Sequence, residues 1–214
     1  MNPEMDKPVR PPRLKPGDTI GIVSPAGPFD LDLFMQGLSA LQSMGFQTRV
    51  PDEVYDKNGY LAGSDAQRAR MVNQLFEEPD VQAIVCARGG FGCLRMLPMV
   101  DFDIISAQPK VFVGFSDITA LLAAITRFSG LVTFHGPMIT PLATAPELTR
   151  RSLSAAIASV TPLEMAPAAA VPLRPGDRPV APQQRPGRSS WPWRRCRALT
   201  RCSAGLCPSR ERQR

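Results

Sequence analysis

A serine that opens an apolar helical pattern directly after an apolar strand is placed for nucleophilic chemistry, and Ser116 stands there. The run Val111-Phe-Val-Gly-Phe-Ser116-Asp117-Ile-Thr-Ala-Leu-Leu supplies β-formers, then a glycine and an aromatic, then the helical repeat. Strand, sharp turn and helix are how α/β hydrolases present a hydroxyl at a sheet edge. Such a serine needs a base, usually histidine, oriented by a carboxylate. The chain has one histidine, His135, nineteen positions on. The elbow pattern G-x-S-x-G is met in part: Gly114 and Ser116 fit, and Ile118 occupies the second glycine position. Serine before a helix is also a standard N-cap worth about 1 kcal/mol. From the local pattern alone the cap is the stronger reading.

Arg88-Gly89-Gly90-Phe91-Gly92 is the second candidate. Glycines after a strand let backbone N–H groups approach a ligand oxygen, as an oxyanion hole requires. A tight strand-to-helix connection would use them equally well. No Gly-Lys-Ser/Thr follows, and a dinucleotide fingerprint is absent. His135, in Phe134-His-Gly-Pro-Met138, ends a strand on the same expected edge, although a lone histidine is more often structural. Asp117 has two compatible roles, capping its helix by charge and offering its backbone N–H as an oxyanion donor.

The elements that must position these residues alternate. Strands are predicted at Asp18–Val23, 47–50, 81–87, 110–115 and 131–134. Helices are predicted at 31–44 with Gly45 as C-cap, from Ser64 as N-cap to about Glu78, a short one to about Met99, 117–128 and 147–160. Strands apolar along their whole length indicate an α/β fold with a mostly parallel sheet covered by helices on both faces. Loops at the carboxyl ends of such strands converge on one ligand crevice.

The chain has 214 residues, 43% of them hydrophobic, enough for a substantial core. The formal charge of +6 is unevenly spread. Residues 1–173 hold 14 Lys and Arg against 17 Asp and Glu, whereas residues 174–214 hold 11 Arg, no Lys and 2 acids. Domain boundaries are therefore expected at 1–161 for the α/β domain, 162–173 for an Ala/Pro-rich linker and 174–214 for an Arg/Pro-rich, irregular or disordered tail. The tail reads as translation in a shifted frame of GC-rich DNA, ahead of a disordered tail or a basic arm for nucleic acid. Cys86 and Cys93 read as small core residues, and Cys196, Cys202 and Cys207 make neither a disulfide framework nor a metal cluster. Neither a signal peptide nor a membrane span is visible, so a cytoplasmic protein is expected.

Five segments taken together carry a resemblance: Leu14–Gly27, Gly59–Asp65, Ala87–Gly92, Val113–Thr119 and His135–Met138. Over about residues 12–173 the chain resembles the amino-terminal domain of the LD-carboxypeptidases, the muramoyltetrapeptide carboxypeptidase family of serine peptidases, which includes microcin-type immunity peptidases. The resemblance implies an α/β domain joined to a smaller second domain. It implies a cytoplasmic dimer without metal or cofactor that removes the terminal D-alanine of murein tetrapeptides. By motif, Ser116 is the implied nucleophile and the N–H groups of Asp117 and Gly90 the oxyanion hole. Arg88, Gly89 and His135 are then supporting or substrate-binding residues.

The family's triad glutamate and histidine belong to its second domain. None of His135, Glu147 or Glu164 falls in a matching motif, and the likeness ends near Leu173–Gly176, where composition shifts. The polypeptide alone is thus expected to be inactive. A non-catalytic binding module with a basic arm, and a peptidase that inactivates an aminoacyl-nucleotide antibiotic, remain as alternatives.

Overall fold

Short apolar strands that each lead into a helix assemble by burying both faces of the sheet they form, and the computed structural model describes this for residues 8–159. The strands are β1 (Thr19–Val23), β2 (Gln47–Arg49), β3 (Ala83–Cys86), β4 (Val111–Gly114) and β5 (Phe134–His135). The helices are α1 (Leu31–Ser43), α2 (Asp65–Glu77), α3 (Cys93–Met96), α4 (Phe102–Ala107), α5 (Thr119–Ser129), α6 (Ile139–Ala143) and α7 (Glu147–Ala158). The sheet has the order β2-β1-β3-β4-β5 and every pair is parallel. β3 and β4 are fully buried along their length, as the unbroken apolar runs require.

Strand order reverses beside β1. The chain runs outward through α1 to β2, then returns through α2 to β3 on the other side of β1. Right-handed crossovers place α1 on one face and α2 on the opposite one. α6 packs on α1, and α4 packs on α2 and α5. The predicted α/β architecture, a parallel sheet with helices on both faces, is therefore the observed one.

Local signals fixed most element ends. Asp30 caps α1 by accepting from Leu33 N at 3.0 Å, and Ser64 with Gln67 forms a capping box on α2. Gly45 is the residue just beyond the Met44 cap, at φ +91°. Two expectations are corrected. The last strand is Phe134–His135 rather than 131–134, because Leu131 instead forms a parallel bridge with Val9 of the leader. The helix after β4 begins at Thr119, preceded by a 3-10 turn at Ser116–Ile118. α4 and α6 were not anticipated. α4 is announced only by Asp101, whose carboxylate accepts from Asp103 N and Ile104 N. α7 ends at Ala158, while the linker and Arg-rich tail lie outside the described residues.

Two buried positions give stability tests. A methyl group on Gly37 would lie 2.0 Å from the carbonyl oxygen of Ile139, because α1 and α6 meet backbone to backbone there. Gly37→Ala, which in an open helix gains about 0.5–1 kcal/mol, should here lower the unfolding free energy by about 1–3 kcal/mol in urea titration. Lys110, nearly buried, donates to Leu75 O at 2.9 Å and to Glu78 O, closing the carboxyl end of α2. Burial lowers its ammonium from 10.5 to about 8, although Glu78 nearby favours the charge. Between those two values the unfolded chain holds a proton that the folded chain has shed, so this group raises stability as pH rises through the window. The stability advantage of wild type over Lys110→Met, from urea titrations, should therefore grow between about pH 8 and pH 10.

Candidate active site

The carboxyl ends of β1, β3 and β4 lie side by side, and the strand-order reversal beside β1 is where an open parallel sheet forms its ligand crevice. The loops leaving these strands are in contact. Gly27 N donates to Gly89 O at 3.2 Å. A methyl group on Gly90, whose φ is +139°, would lie 2.9 Å from Gly27 N, so the two backbones approach as only glycine permits. A methyl group on Gly89 would lie 3.0 Å from Ser116 Cβ and 3.2 Å from its Oγ. The loop after β3 therefore lies against the Ser116 side chain. The chain beyond β5 closes the same edge, with Thr140 N donating to Ala87 O at 3.1 Å.

Ser116 itself is exposed and sits at φ +63°, the only non-glycine residue with positive φ among those described. It makes no capping hydrogen bond, and α5 starts three residues later. This corrects the N-cap reading, because a cap requires extended backbone and an accepting side chain. A left-handed serine between strand and helix is a strained turn that holds the hydroxyl outward.

Asp117 is the acidic residue in the first turn of the 3-10 segment that leads into α5. Its carboxylate Oδ2 accepts from Cys93 N, the first residue of α3, at 2.9 Å. Gly92, which precedes α3, has no side chain to do this. The N–H of Asp117 donates to no backbone acceptor among the described residues. The Cys93 thiol is pushed up by burial first and by the neighbouring Asp117 charge second.

Arg88 is exposed and donates from Nη1 to Pro28 O at 2.7 Å, so its head lies over the loop after β1. His135 is exposed at the end of β5, its ring 6.1 Å from that of Phe115. Sequence reasoning missed Arg68, a wholly buried arginine whose guanidinium bonds to Pro25 O and Gly92 O.

Residues 20–136 match the LD-carboxypeptidase N-terminal domain, more than half of the chain. The chain belongs to the LD-carboxypeptidase family. It is 42% identical over 130 residues to the Bacillus subtilis (strain 168) protein named "probable murein peptide carboxypeptidase", a match covering 61% of this chain and 41% of that protein. It is 37% identical over 131 residues to the Escherichia coli microcin C7 self-immunity protein MccF, covering 60% and 38%. The solved structure of wild-type MccF without ligand aligns with a TM-score of 0.68 at 34% identity, over 71% of this chain and 47% of that one. The LD-carboxypeptidase match thus spans less than half the length of these relatives. No helix among the described residues is long and apolar enough to cross a membrane.

Strain at Ser116 is measurable without any activity. Ser116→Gly should raise the unfolding free energy by about 0.5–1 kcal/mol, since glycine adopts this conformation freely. Ser116→Ala should leave it within about 0.5 kcal/mol. A capping serine would give the opposite pattern, with both variants less stable than wild type in urea titration.

Proposed function

We propose that the described residues form the nucleophile-bearing half of a serine peptidase of the LD-carboxypeptidase type, acting on the peptide of murein. The observation that carries this reading is the left-handed backbone of Ser116 with the Gly89 backbone against its hydroxyl. In this reading Ser116 Oγ attacks the carbonyl carbon before the terminal D-alanine, forming a C–O bond. The carbonyl electron pair moves onto oxygen, where the N–H groups of Asp117 and Gly90 receive it. The C–N bond then breaks and the amine leaves with a proton. Arg88, Gly89 and His135 flank the site as supporting or substrate-contacting groups. Names of relatives that include murein peptide carboxypeptidase support this substrate class. The family resemblance further supports a cytoplasmic protein able to form a homodimer.

The proton from Ser116 needs a base, and no second triad residue falls in the matched motifs. Loss of the base costs about 10⁶ in turnover. The oxyanion hole and binding alone leave roughly 10³–10⁴ over water.

Incubation with murein tetrapeptide, read by mass spectrometry, should show no D-alanine release by the 214-residue chain. A folded fusion of residues 8–159 to the carboxyl-terminal half of the Bacillus subtilis relative should release D-alanine. Ser116→Ala in that fusion should lower release by about 10⁶. Release by the 214-residue chain alone, or undiminished release by the Ser116→Ala fusion, overturns the reading.

A further inference from the structure

Arg68 is the one charged side chain among the described residues with no exposure at all. It stands at the first position of the inward stripe of α2, ahead of Met71, Val72, Leu75 and Phe76, where an apolar residue would be expected. Its surroundings account for both terminal nitrogens of the guanidinium, while the buried Nε has no partner among the described residues. Nη1 donates to Pro25 O at 2.5 Å in the loop after β1 and to Gly92 O at 3.2 Å in the loop after β3. Nη2 pairs with Asp65 Oδ1 at the start of α2. The other Asp65 oxygen takes Arg95 Nε at 3.0 Å and Nη2 at 2.9 Å. Only a planar fork with donors in several directions satisfies acceptors on three separate segments at once.

The bonds continue to the nucleophile. Gly92 is followed by Cys93, whose Sγ donates to the same Pro25 O at 3.5 Å and whose N–H is held by Asp117. Gly92 is itself fitted to the arginine. A methyl group there would lie 3.1 Å from Nη1 and 2.7 Å from Leu61 Cδ2, at a φ of +110°.

We infer that Arg68 is the positioning residue of the oxyanion side of the Ser116 site. It touches no substrate. By holding the Pro25 and Gly92 carbonyls it sets the spacing of the Gly89–Gly90 backbone and, through Cys93 and Asp117, of the Ser116 turn. The inference rests on the reading of Gly90 and Asp117 as the N–H donors. It is tested without substrate, so it stands or falls separately from tetrapeptide hydrolysis.

The test is amide hydrogen exchange by mass spectrometry on the full chain, well below each variant's melting temperature. In Arg68→Ala, exchange in peptides covering 24–28 and 88–95 should rise about tenfold or more, while β3, β4 and α5 change less than about twofold. Guanidinium at about 10 mM should restore at least half of the lost protection, and sodium chloride at equal strength should not. A uniform rise over the whole domain, or a local rise that guanidinium leaves unchanged, overturns the inference and leaves Arg68 a general stabiliser. Should Arg68→Ala not fold, Asp65→Asn keeps the guanidinium and removes its charged partner. That variant should raise exchange in the same two segments by about threefold, and unchanged exchange there overturns the inference equally.

Discussion

A guanidinium shut off from water needs acceptors where it lies, and the Nη1 bonds of Arg68 form only when the loops after β1 and β3 close around it. Leaving a buried charged donor without its carbonyl acceptor costs about 1–3 kcal/mol or more, a large part of a domain's stability. The two loops are therefore closed in the folded state. The same closure brings Gly27 against Gly89 and Gly90, and these against Ser116. The sheet contributes the other half of this constraint. Parallel pairing of β1 with β3 and β3 with β4 puts three strand ends next to one another, so loops that leave them have no other place to go.

Within that frame the strained backbone at Ser116 becomes affordable. A non-glycine residue in the left-handed region costs about 1–3 kcal/mol and persists only where its neighbours leave no alternative. Here β4 fixes the residues before the turn, and Ile118, wholly buried, fixes the residues after it. Asp117 is bonded to Cys93 on a different loop. Ser116 has to make up the turn between two fixed points. The hydroxyl is consequently exposed, and its position is set by the neighbouring loops.

Much of this was legible in residues and spacing. Unbroken apolar runs gave β3 and β4, and Ser64 as N-cap gave the start of α2. Where reading failed, the missing information was tertiary. The short β5 could not be separated from the Leu131 bridge, because the partner Val9 lies more than a hundred residues earlier. α4 and α6 are too short for a periodicity to declare itself. Ser116 looked like a cap because a serine before a helix has the same sequence whether its φ is negative or positive. The nearest available signal for Arg68 was its place in the stripe of α2, where a charge interrupts an apolar series and the Asp three residues earlier offers it a partner.

The bonds that shape the site and the bonds that stabilise the fold are largely the same bonds. The Asp117 carboxylate that fixes the Ser116 turn also caps the start of α3, and the arginine that spaces the glycine loop also fills the head of α2. An elbow built this way is maintained by folding and needs no contact with a base to keep its shape. The geometry of the Ser116 turn and any capacity for turnover are thus separable properties in this fold. Preorganised N–H donors would stabilise an oxyanion wherever one formed, whereas formation of that oxyanion at a useful rate depends on a proton acceptor. The LD-carboxypeptidase match ends at residue 136, just past β5, yet α6 beyond it packs on α1, so elements on both sides of that limit hold the Ser116 edge of the sheet together.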